Sequence, residues 1–147
     1  MKIKTALTAS VALVMVLAGT ESALAVQPTG VTNLLGTWTN VNPTTGGVVK
    51  IEITNPGGVF TIHTYGACSP TPCDHGAIPA SAFSKSVSSA TAHGLSGQYN
   101  FGFSTVLVTA QRTYDIDGGS FLEVETRTKF ANGDTRNDYI RSELFRK

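Results

Sequence analysis

The most reactive side chains in the sequence are two cysteines, Cys68 and Cys73, in the segment Gly-Ala-Cys-Ser-Pro-Thr-Pro-Cys-Asp-His-Gly from Gly66 to Gly76. Prolines fix the backbone φ between them, and a glycine at each end allows the chain to turn. The N-terminal sequence predicts an exported chain, and two cysteines in such a chain most simply form one disulfide. That bond would stabilise the fold by about 2 kcal/mol. We call residues Gly66 to Gly76 the stapled loop.

The residue types allow two candidate metal sites, of which the first is an alternative to the disulfide. Cys68, Cys73 and His75, with His63 or His93, contain the residue types of a zinc site, although the Cys-x4-Cys spacing is loose. Asp115 and Asp117 resemble the start of a calcium loop, but the later bidentate glutamate is missing at the required spacing. We therefore expect a hairpin turn at Asp115 to Gly119 and no metal or other cofactor.

The sequence shows no catalytic constellation. It has no nucleophile paired with a base, no carboxylate pair across a cleft and no phosphate-binding glycine loop. Glu123, Glu125, Arg127 and Lys129 share one face of a strand, which is typical of a solvated surface, and the pattern places Leu122, Val124, Thr126 and Thr128 on the inward face. We expect a protein that is not an enzyme.

The N-terminus has the pattern of a secretory signal. Lys2 and Lys4 precede an apolar run from Ala6 to Ala18, and Ala23-Leu24-Ala25 fits the small-x-small cleavage rule. The pattern predicts a signal peptide over residues 1–25, a flexible tail over 26–33 and a secreted or periplasmic protein. The apolar run is too short for a comfortable membrane span, and no other segment is long enough.

The composition limits the partners. Removing residues 1–25 takes Lys2, Lys4 and Glu21 from eleven basic and ten acidic residues, which leaves nine of each. A neutral chain lacks the basic footprint that nucleic acids and anionic membranes require. Residues 34–147 are enough for one domain.

The rest of the sequence predicts β-strands. About eight short segments alternate between apolar and polar residues, and turn residues such as Asn55-Pro56-Gly57-Gly58 separate them. Pro79 interrupts a short strand over residues 77–82, which suits an edge or a bulge. Ser84 to Gly97 has no clear period. Sequential antiparallel strands with one apolar face must curl or close, because an open sheet leaves unpaired edges. We therefore predict an all-β, eight-stranded, up-and-down barrel, with a β-sandwich as the alternative.

Aromatic residues are the candidate ligand-binding groups. An eight-stranded barrel is either filled by side chains or holds one small ligand. Aromatic rings with polar tips suit a pocket, because the ring gives apolar contact and the hydroxyl orients the ligand. Core filling is the simpler alternative. The candidates are Trp38, Tyr65, Tyr99, Phe101, Phe103, Tyr114 and Tyr139.

The first strand carries a family resemblance. Gly36-Thr37-Trp38 resembles the Gly-x-Trp signature of the calycins, the barrel superfamily of lipocalins, fatty-acid-binding proteins and avidins. The resemblance implies that Trp38 packs at the closed barrel end under a basic residue of the last strand, Arg141 or Arg146. The run Tyr65 to Gly76 is also similar to a loop of small exported bacterial proteins.

These observations predict an exported protein that binds a small apolar or aromatic ligand in a calycin-like barrel. The stapled loop and the segment Ser84 to Gly97 would form a lid over the open end. The alternative is a protein-interaction module, such as an inhibitor of a protease or another hydrolase, that presents the Cys68 to Cys73 loop to its partner. A disulfide and prolines would lower the ordering cost of docking.

Overall fold

A computed structural model describes residues 33–147, and these residues form a closed antiparallel barrel of eight strands. Each strand pairs with the next along the chain, and the last pairs with the first, which confirms the predicted up-and-down barrel and excludes the β-sandwich. The predicted signal peptide and nearly all of the predicted tail lie outside the described residues. The strands are β1 Gly36–Asn40, β2 Val48–Thr54, β3 Phe60–Gly66, β4 Cys73–Ser84, β5 Ala92–Asn100, β6 Ser104–Tyr114, β7 Ser120–Phe130 and β8 Tyr139–Arg146.

The alternation of residue types decides which face of each strand is buried. In β3, Phe60, Ile62 and Thr64 are buried, whereas the residues between them are partly exposed. In β7 the buried positions are Leu122, Val124, Thr126 and Thr128, as the sequence predicts. One face of each strand thus points into the barrel, because successive side chains in a strand point to opposite sides.

The connections between strands lie at two ends of the barrel. The open end carries the β1–β2, β3–β4, β5–β6 and β7–β8 connections, residues 41–47, 67–72, 101–103 and 131–138. The closed end carries the other three, residues 55–59, 85–91 and 115–119. A short 3-10 helix, Pro56–Gly58, lies in the first of these. No helix of the described residues is long and apolar enough to cross a membrane.

The predicted lid over residues 84–97 is wrong. β4 extends to Ser84, residues 85–91 turn at the closed end, and β5 begins at Ala92. The segment lacks a hydrophobic period because its small residues serve close packing. A Cβ atom at Gly97 would lie 2.9 Å from both the Ile78 Cδ1 and the Pro79 carbonyl oxygen. Neighbouring strands can approach closely there.

Pro79 lies within β4, which is longer than predicted. β4 pairs with β3 from Gly66↔Cys73 to Phe60↔Ala80, with a bulge, and its pairing with β5 begins only at Ser81. Pro79 lies before the β4–β5 pairing begins. We attribute the tolerance of a proline to this gap, because a residue without a backbone N–H suits a position that pairs with a strand on one side only.

β1 and β8 form the shortest pairing in the barrel. Thr39 faces Arg146, Asn40 faces Phe145, and the Val41 N–H donates to the Leu144 carbonyl oxygen at 2.8 Å. Nearer the open end, side chains replace the ladder. The carboxylate of Glu143 accepts hydrogen bonds from the Thr45 hydroxyl and, at 3.2 Å, from the Val48 N–H. This inward-facing carboxylate therefore closes the seam between β8 and β2.

Candidate functional site

The two halves of the barrel interior differ in packing. Towards the closed end, large apolar side chains are fully buried and in contact, so that half is a filled core. Its largest members are Trp38, Phe145, Leu34, Ile51, Ile53, Ile62, Leu95 and Leu122. Towards the open end the interior is lined by aromatic rings, short hydroxyl side chains and two arginines, and it is not filled.

The unfilled half forms a cavity of about 320 Å³ that opens at the barrel mouth. Four of the seven predicted ligand residues line it: Tyr99, Phe101, Phe103 and Tyr139. Phe130 adds a fifth ring, and Thr64, Ser104, Thr126 and Thr128 add hydroxyl groups. A pocket of this size with apolar walls and a few polar groups is typical of small-molecule sites.

The turn after β5 carries the central aromatic stack. β5 ends at Asn100 and β6 begins at Ser104, so Phe101 and Phe103 lie in the turn between the two strands. Gly102 between them has φ +80°, a conformation that favours glycine and lets both rings face the cavity. Tyr99 and Phe101 stack with centroids 5.5 Å apart and planes 4° apart, and Phe103 follows at 6.2 Å. These three rings form one wall.

Tyr99 has a structural role at the base of this wall. Its hydroxyl accepts a hydrogen bond from the Thr64 N–H at 3.0 Å, and lies 2.8 Å from the Gly76 carbonyl oxygen and 3.1 Å from that of Ile62. Because the hydroxyl has only one proton, it donates to one of these two carbonyl oxygens or shares the proton between them. Burial raises the pKa of Tyr99. The hydroxyl thus ties β5 to the β3–β4 bulge and is not available to a ligand.

His75 faces the same cavity from β4. Its Nδ1 lies 3.0 Å from the Thr64 hydroxyl oxygen, and its ring contacts Phe101 edge-on with centroids 5.5 Å apart. Burial is the main reason that the pKa of His75 is lowered from its ordinary value. The imidazole is therefore neutral at neutral pH and can donate or accept one hydrogen bond in the cavity.

Two arginines lie at the mouth. The Arg136 side chain bonds both carboxylate oxygens of Asp134, at 3.0 and 2.7 Å, and its guanidinium lies 4.1 Å from the centroid of the Phe130 ring. This pair lowers the pKa of Asp134 to about 2. Arg141 projects inward from β8, and its guanidinium makes no hydrogen bond to residues 33–147 but lies 3.8 Å from the Glu143 carboxylate. The two arginines therefore differ in how fully they are paired.

Tyr65 lies on the outer surface of the barrel and not in the cavity. Its ring stacks on that of His63 at 4.3 Å, and the Lys50 ammonium lies 3.7 Å above it. His63 also contacts Asp74, with Nε2 2.5 Å from Oδ1, which lowers the pKa of that carboxyl group. Tyr65 faces outward because it follows Thr64, an inward residue of β3. This outer cluster braces the β4 end of the stapled loop.

Trp38 and Tyr114 also lie away from the cavity. Trp38 is in the filled half, where its indole N–H donates to the Leu34 carbonyl oxygen at 2.8 Å. Tyr114, at the closed end of β6, is 61% exposed. The cation over the Trp38 ring is the Lys147 ammonium, 4.7 Å from its centroid.

The cation at Trp38 is therefore neither of the two arginines that the sequence suggested for barrel closure. β8 runs from the open end to the closed end, so Arg141, near its start, reaches the cavity and not Trp38. Arg146 is exposed, whereas the next residue, Lys147, lies at the tryptophan. The cation at the Trp38 ring thus comes from the residue that follows β8 and not from β8 itself.

The stapled loop contains the predicted disulfide. Cys68 and Cys73 are bonded, with Cα atoms 5.4 Å apart, and both line the rim of the cavity. The zinc alternative therefore has no thiolate ligands. Within the part of the chain that the structure describes, no three histidine, cysteine or carboxylate side chains form a group that could hold a metal ion. At the other end, Asp115 Oδ1 accepts bonds from the Asp117 and Gly119 N–H groups, which confirms a hairpin turn.

Sequence reasoning missed His75, Phe130, Arg136 and Glu143 as residues of the barrel mouth. Phe130 was within reach of the pattern, because it shares the inward face of β7 with Thr126 and Thr128. The inward-facing charged residues could not be predicted in this way, because the alternation rule assigns charged residues to the solvent-facing side of a strand.

Comparisons of the chain with protein-family models, curated proteins and solved structures find no match in any of the three. The barrel is consistent with the calycin resemblance, and the assignment to that superfamily stays a prediction.

Proposed function

We propose that this chain is an exported binding protein that holds a small apolar or aromatic ligand at the open end of a calycin-like barrel. One observation carries the proposal: the closed half of the barrel is packed, whereas the other half keeps a cavity of about 320 Å³ behind an aromatic wall. Protein interiors have few voids larger than a water molecule. A cavity of this size at a solvent-accessible mouth favours a ligand over core filling.

The cavity wall suits a flat ring. Tyr99, Phe101 and Phe103 form a stacked aromatic wall, and a ligand ring in contact with this wall would contribute about 0.5–1.5 kcal/mol beyond its buried area. Phe103 is 54% exposed at the rim, and a ligand would cover it. Hydroxyl groups of Thr126, Thr128 and Tyr139 on the opposite strands would orient polar substituents.

A fluorescent dye tests the proposal directly. N-phenyl-1-naphthylamine is uncharged, aromatic and emits strongly only in an apolar site. We expect saturable binding by the wild-type chain and a threefold to tenfold loss of affinity, as an order-of-magnitude estimate, for Phe103→Ala. Phe83→Ala is the matched control, because Phe83 is also 54% exposed but lies outside the cavity.

Equal effects of the two substitutions, or no saturable binding, would refute a ligand site at the mouth. Native mass spectrometry of protein purified from its own culture medium provides an independent test. A reproducible extra mass that is lost on denaturation would give the molecular weight of the natural ligand.

A second function, protein interaction through the stapled loop, rests on the exposure of that loop. Every residue from Ala67 to Asp74 is exposed, and the disulfide fixes both ends. Replacing Pro70 and Pro72 by glycine should weaken capture of a protein partner and leave dye binding unchanged. If dye binding falls instead, the loop belongs to the ligand site.

A further inference from the structure

We infer that the ligand carries an anionic group, a carboxylate or a sulfonate on an aromatic body, and that the guanidinium of Arg141 binds it. This inference rests on the proposed function, because it concerns the same cavity. It depends on the position of Arg141, on its unused hydrogen-bonding capacity and on the pairing of the other charges at the mouth.

The Arg141 side chain lies along the cavity wall. Arg141 shares the inward face of β8 with Tyr139, Glu143 and the fully buried Phe145. Gly47 on the neighbouring connection makes room for it, since a Cβ atom there would lie 2.8 Å from Arg141 Cδ and 2.9 Å from Nη1. Packing against Gly47 thus places the Arg141 side chain beside the cavity, where it is still 41% exposed to solvent and accessible to a ligand.

The positive charge of Arg136 is already paired with a carboxylate. Asp134 accepts two side-chain hydrogen bonds from it, and the Phe103 and Phe130 rings lie beneath its guanidinium at 5.2 and 4.1 Å. The Asp134 carboxylate offsets the charge of this guanidinium, so Arg136 attracts a ligand anion less strongly than an arginine without such a partner. Arg136 therefore acts as a cap on the aromatic rim.

Arg141 keeps its donors free among the described residues. Its Nη1 lies 3.8 Å from Glu143 Oε1, which is beyond hydrogen-bonding distance. The Glu143 carboxylate instead accepts from the Thr45 hydroxyl and the Val48 N–H, groups of the opposite side of the seam. A guanidinium presents parallel N–H groups that match the two oxygens of a carboxylate. A ligand oxyanion supplies the acceptors that Arg141 lacks.

Glu143 opposes this binding, and its charge gives the inference a second test. The carboxylate stays close enough to Arg141 to offset part of its positive field. Removing the negative charge should therefore strengthen the binding of an anion, whereas removing the arginine should weaken it. A neutral ligand should respond little to either change.

The experiment compares two dyes that differ by one charged group. 8-Anilinonaphthalene-1-sulfonate has the aromatic body of N-phenyl-1-naphthylamine with a sulfonate added. Each is titrated into the wild-type chain and the variants Arg141→Gln, Arg141→Lys and Glu143→Gln. Arg146→Gln is the control, because Arg146 lies on the same strand but is exposed and outside the cavity.

For Arg141→Gln we expect about a tenfold loss of affinity for the sulfonate dye and less than about a twofold change for the neutral dye. Arg141→Lys should fall between, because it keeps the charge but not the fork. Glu143→Gln should bind the sulfonate dye more tightly, and Arg146→Gln should match the wild type.

The two proposals fail in different ways. Equal losses for both dyes in Arg141→Gln, or no loss for either, would overturn the anion inference while leaving the aromatic site intact. Weaker sulfonate binding by Glu143→Gln would also count against it. If the uncharged dye does not bind saturably to the wild-type chain, the proposed function falls, and the anion inference falls with it.

Discussion

The hydroxyl of Tyr99 lies 2.8 Å from the carbonyl oxygen of Gly76, across a stretch where β4 and β5 share no ladder pairs. The Tyr99 hydroxyl oxygen also accepts a hydrogen bond from the Thr64 N–H. One side chain therefore supplies the bonds that a regular sheet would make between backbones. This explains why a ring predicted to contact ligand is also part of the barrel wall.

Tyr99→Phe should destabilise the barrel more than it weakens ligand binding. The substitution keeps the stacked ring but leaves the buried Thr64 N–H without its acceptor, which costs about 1–3 kcal/mol. Urea unfolding followed by tryptophan fluorescence measures this loss. Tyr114→Phe is the control, because Tyr114 is exposed and its loss should change stability by less than about 0.5 kcal/mol.

The two substitutions separate structure from binding. If Tyr99→Phe unfolds at the wild-type urea concentration, the hydroxyl does not hold the bulge. If its affinity for N-phenyl-1-naphthylamine falls tenfold at unchanged stability, the hydroxyl contacts the ligand directly.

Closure of the barrel at Trp38 gives a prediction for Lys147. The ammonium lies 4.7 Å from the ring centroid, and a cation over an aromatic face at an exposed site contributes about 0.5–1 kcal/mol. Lys147→Ala should lower the free energy of unfolding by about this amount and shift the tryptophan emission of the folded state. Arg146→Ala, one residue earlier, should leave the emission unchanged, and an identical shift in both variants would contradict the assignment.

The fold was predictable because it depends on alternation. β2, β3 and β7 place apolar residues at every second position, and an eight-stranded set of hairpins has few ways to bury them. Most of β5 was not predicted as a strand, because its glycine and serine residues leave no hydrophobic period. The same small residues let the neighbouring strands approach closely. Local pattern thus predicted the barrel better than it predicted the identity of each strand.

The site was predictable only in part. Alternation within β5 and β8 places Tyr99 and Tyr139 inward, but the positions of Tyr65 and Tyr114 depend on register, which a one-residue shift reverses. Inward charges such as Glu143 and Arg141 have no signature along one strand. Their partners, Thr45 and Gly47, lie almost a hundred residues earlier in the chain.

The Asp134 and Arg136 pair predicts a defined pH dependence of stability. The pKa of Asp134 is lowered from 3.8 to about 2, chiefly by its side-chain hydrogen bonds with Arg136. A carboxyl group with a lowered folded-state pKa stabilises the fold above its unfolded pKa and loses that effect as pH falls towards the folded value. The contribution of this pair should therefore be complete above about pH 4 and should disappear near pH 2.

Thermal unfolding of the wild-type chain and of Asp134→Asn from pH 7 to pH 2 measures this contribution. The difference in Tm should be constant down to about pH 4 and vanish near pH 2. Asp117→Asn is the control, because Asp117 lies in the exposed turn at the closed end. A Tm difference that persists at pH 2 would show that Asp134 acts by packing and not by its charge.

His75 reports on the cavity itself. Burial lowers its pKa below the ordinary value of 6.5, so the unfolded chain takes up a proton before the folded chain does. The stability linked to this residue is present above pH 6.5 and is lost as pH falls through the range between the two pKa values. A ligand that displaces water from the cavity should lower this pKa further, because desolvation disfavours the charged imidazole.

NMR titration of the histidine ring protons, with and without saturating N-phenyl-1-naphthylamine, tests this linkage. We expect the pKa of His75 to fall when the uncharged dye is bound. His93, whose pKa is also lowered by burial but which lies at the closed end, is the internal control and should titrate as before. An unchanged His75 titration at full dye occupancy would place the dye outside the cavity, and equal shifts at both histidines would indicate a change in the whole barrel.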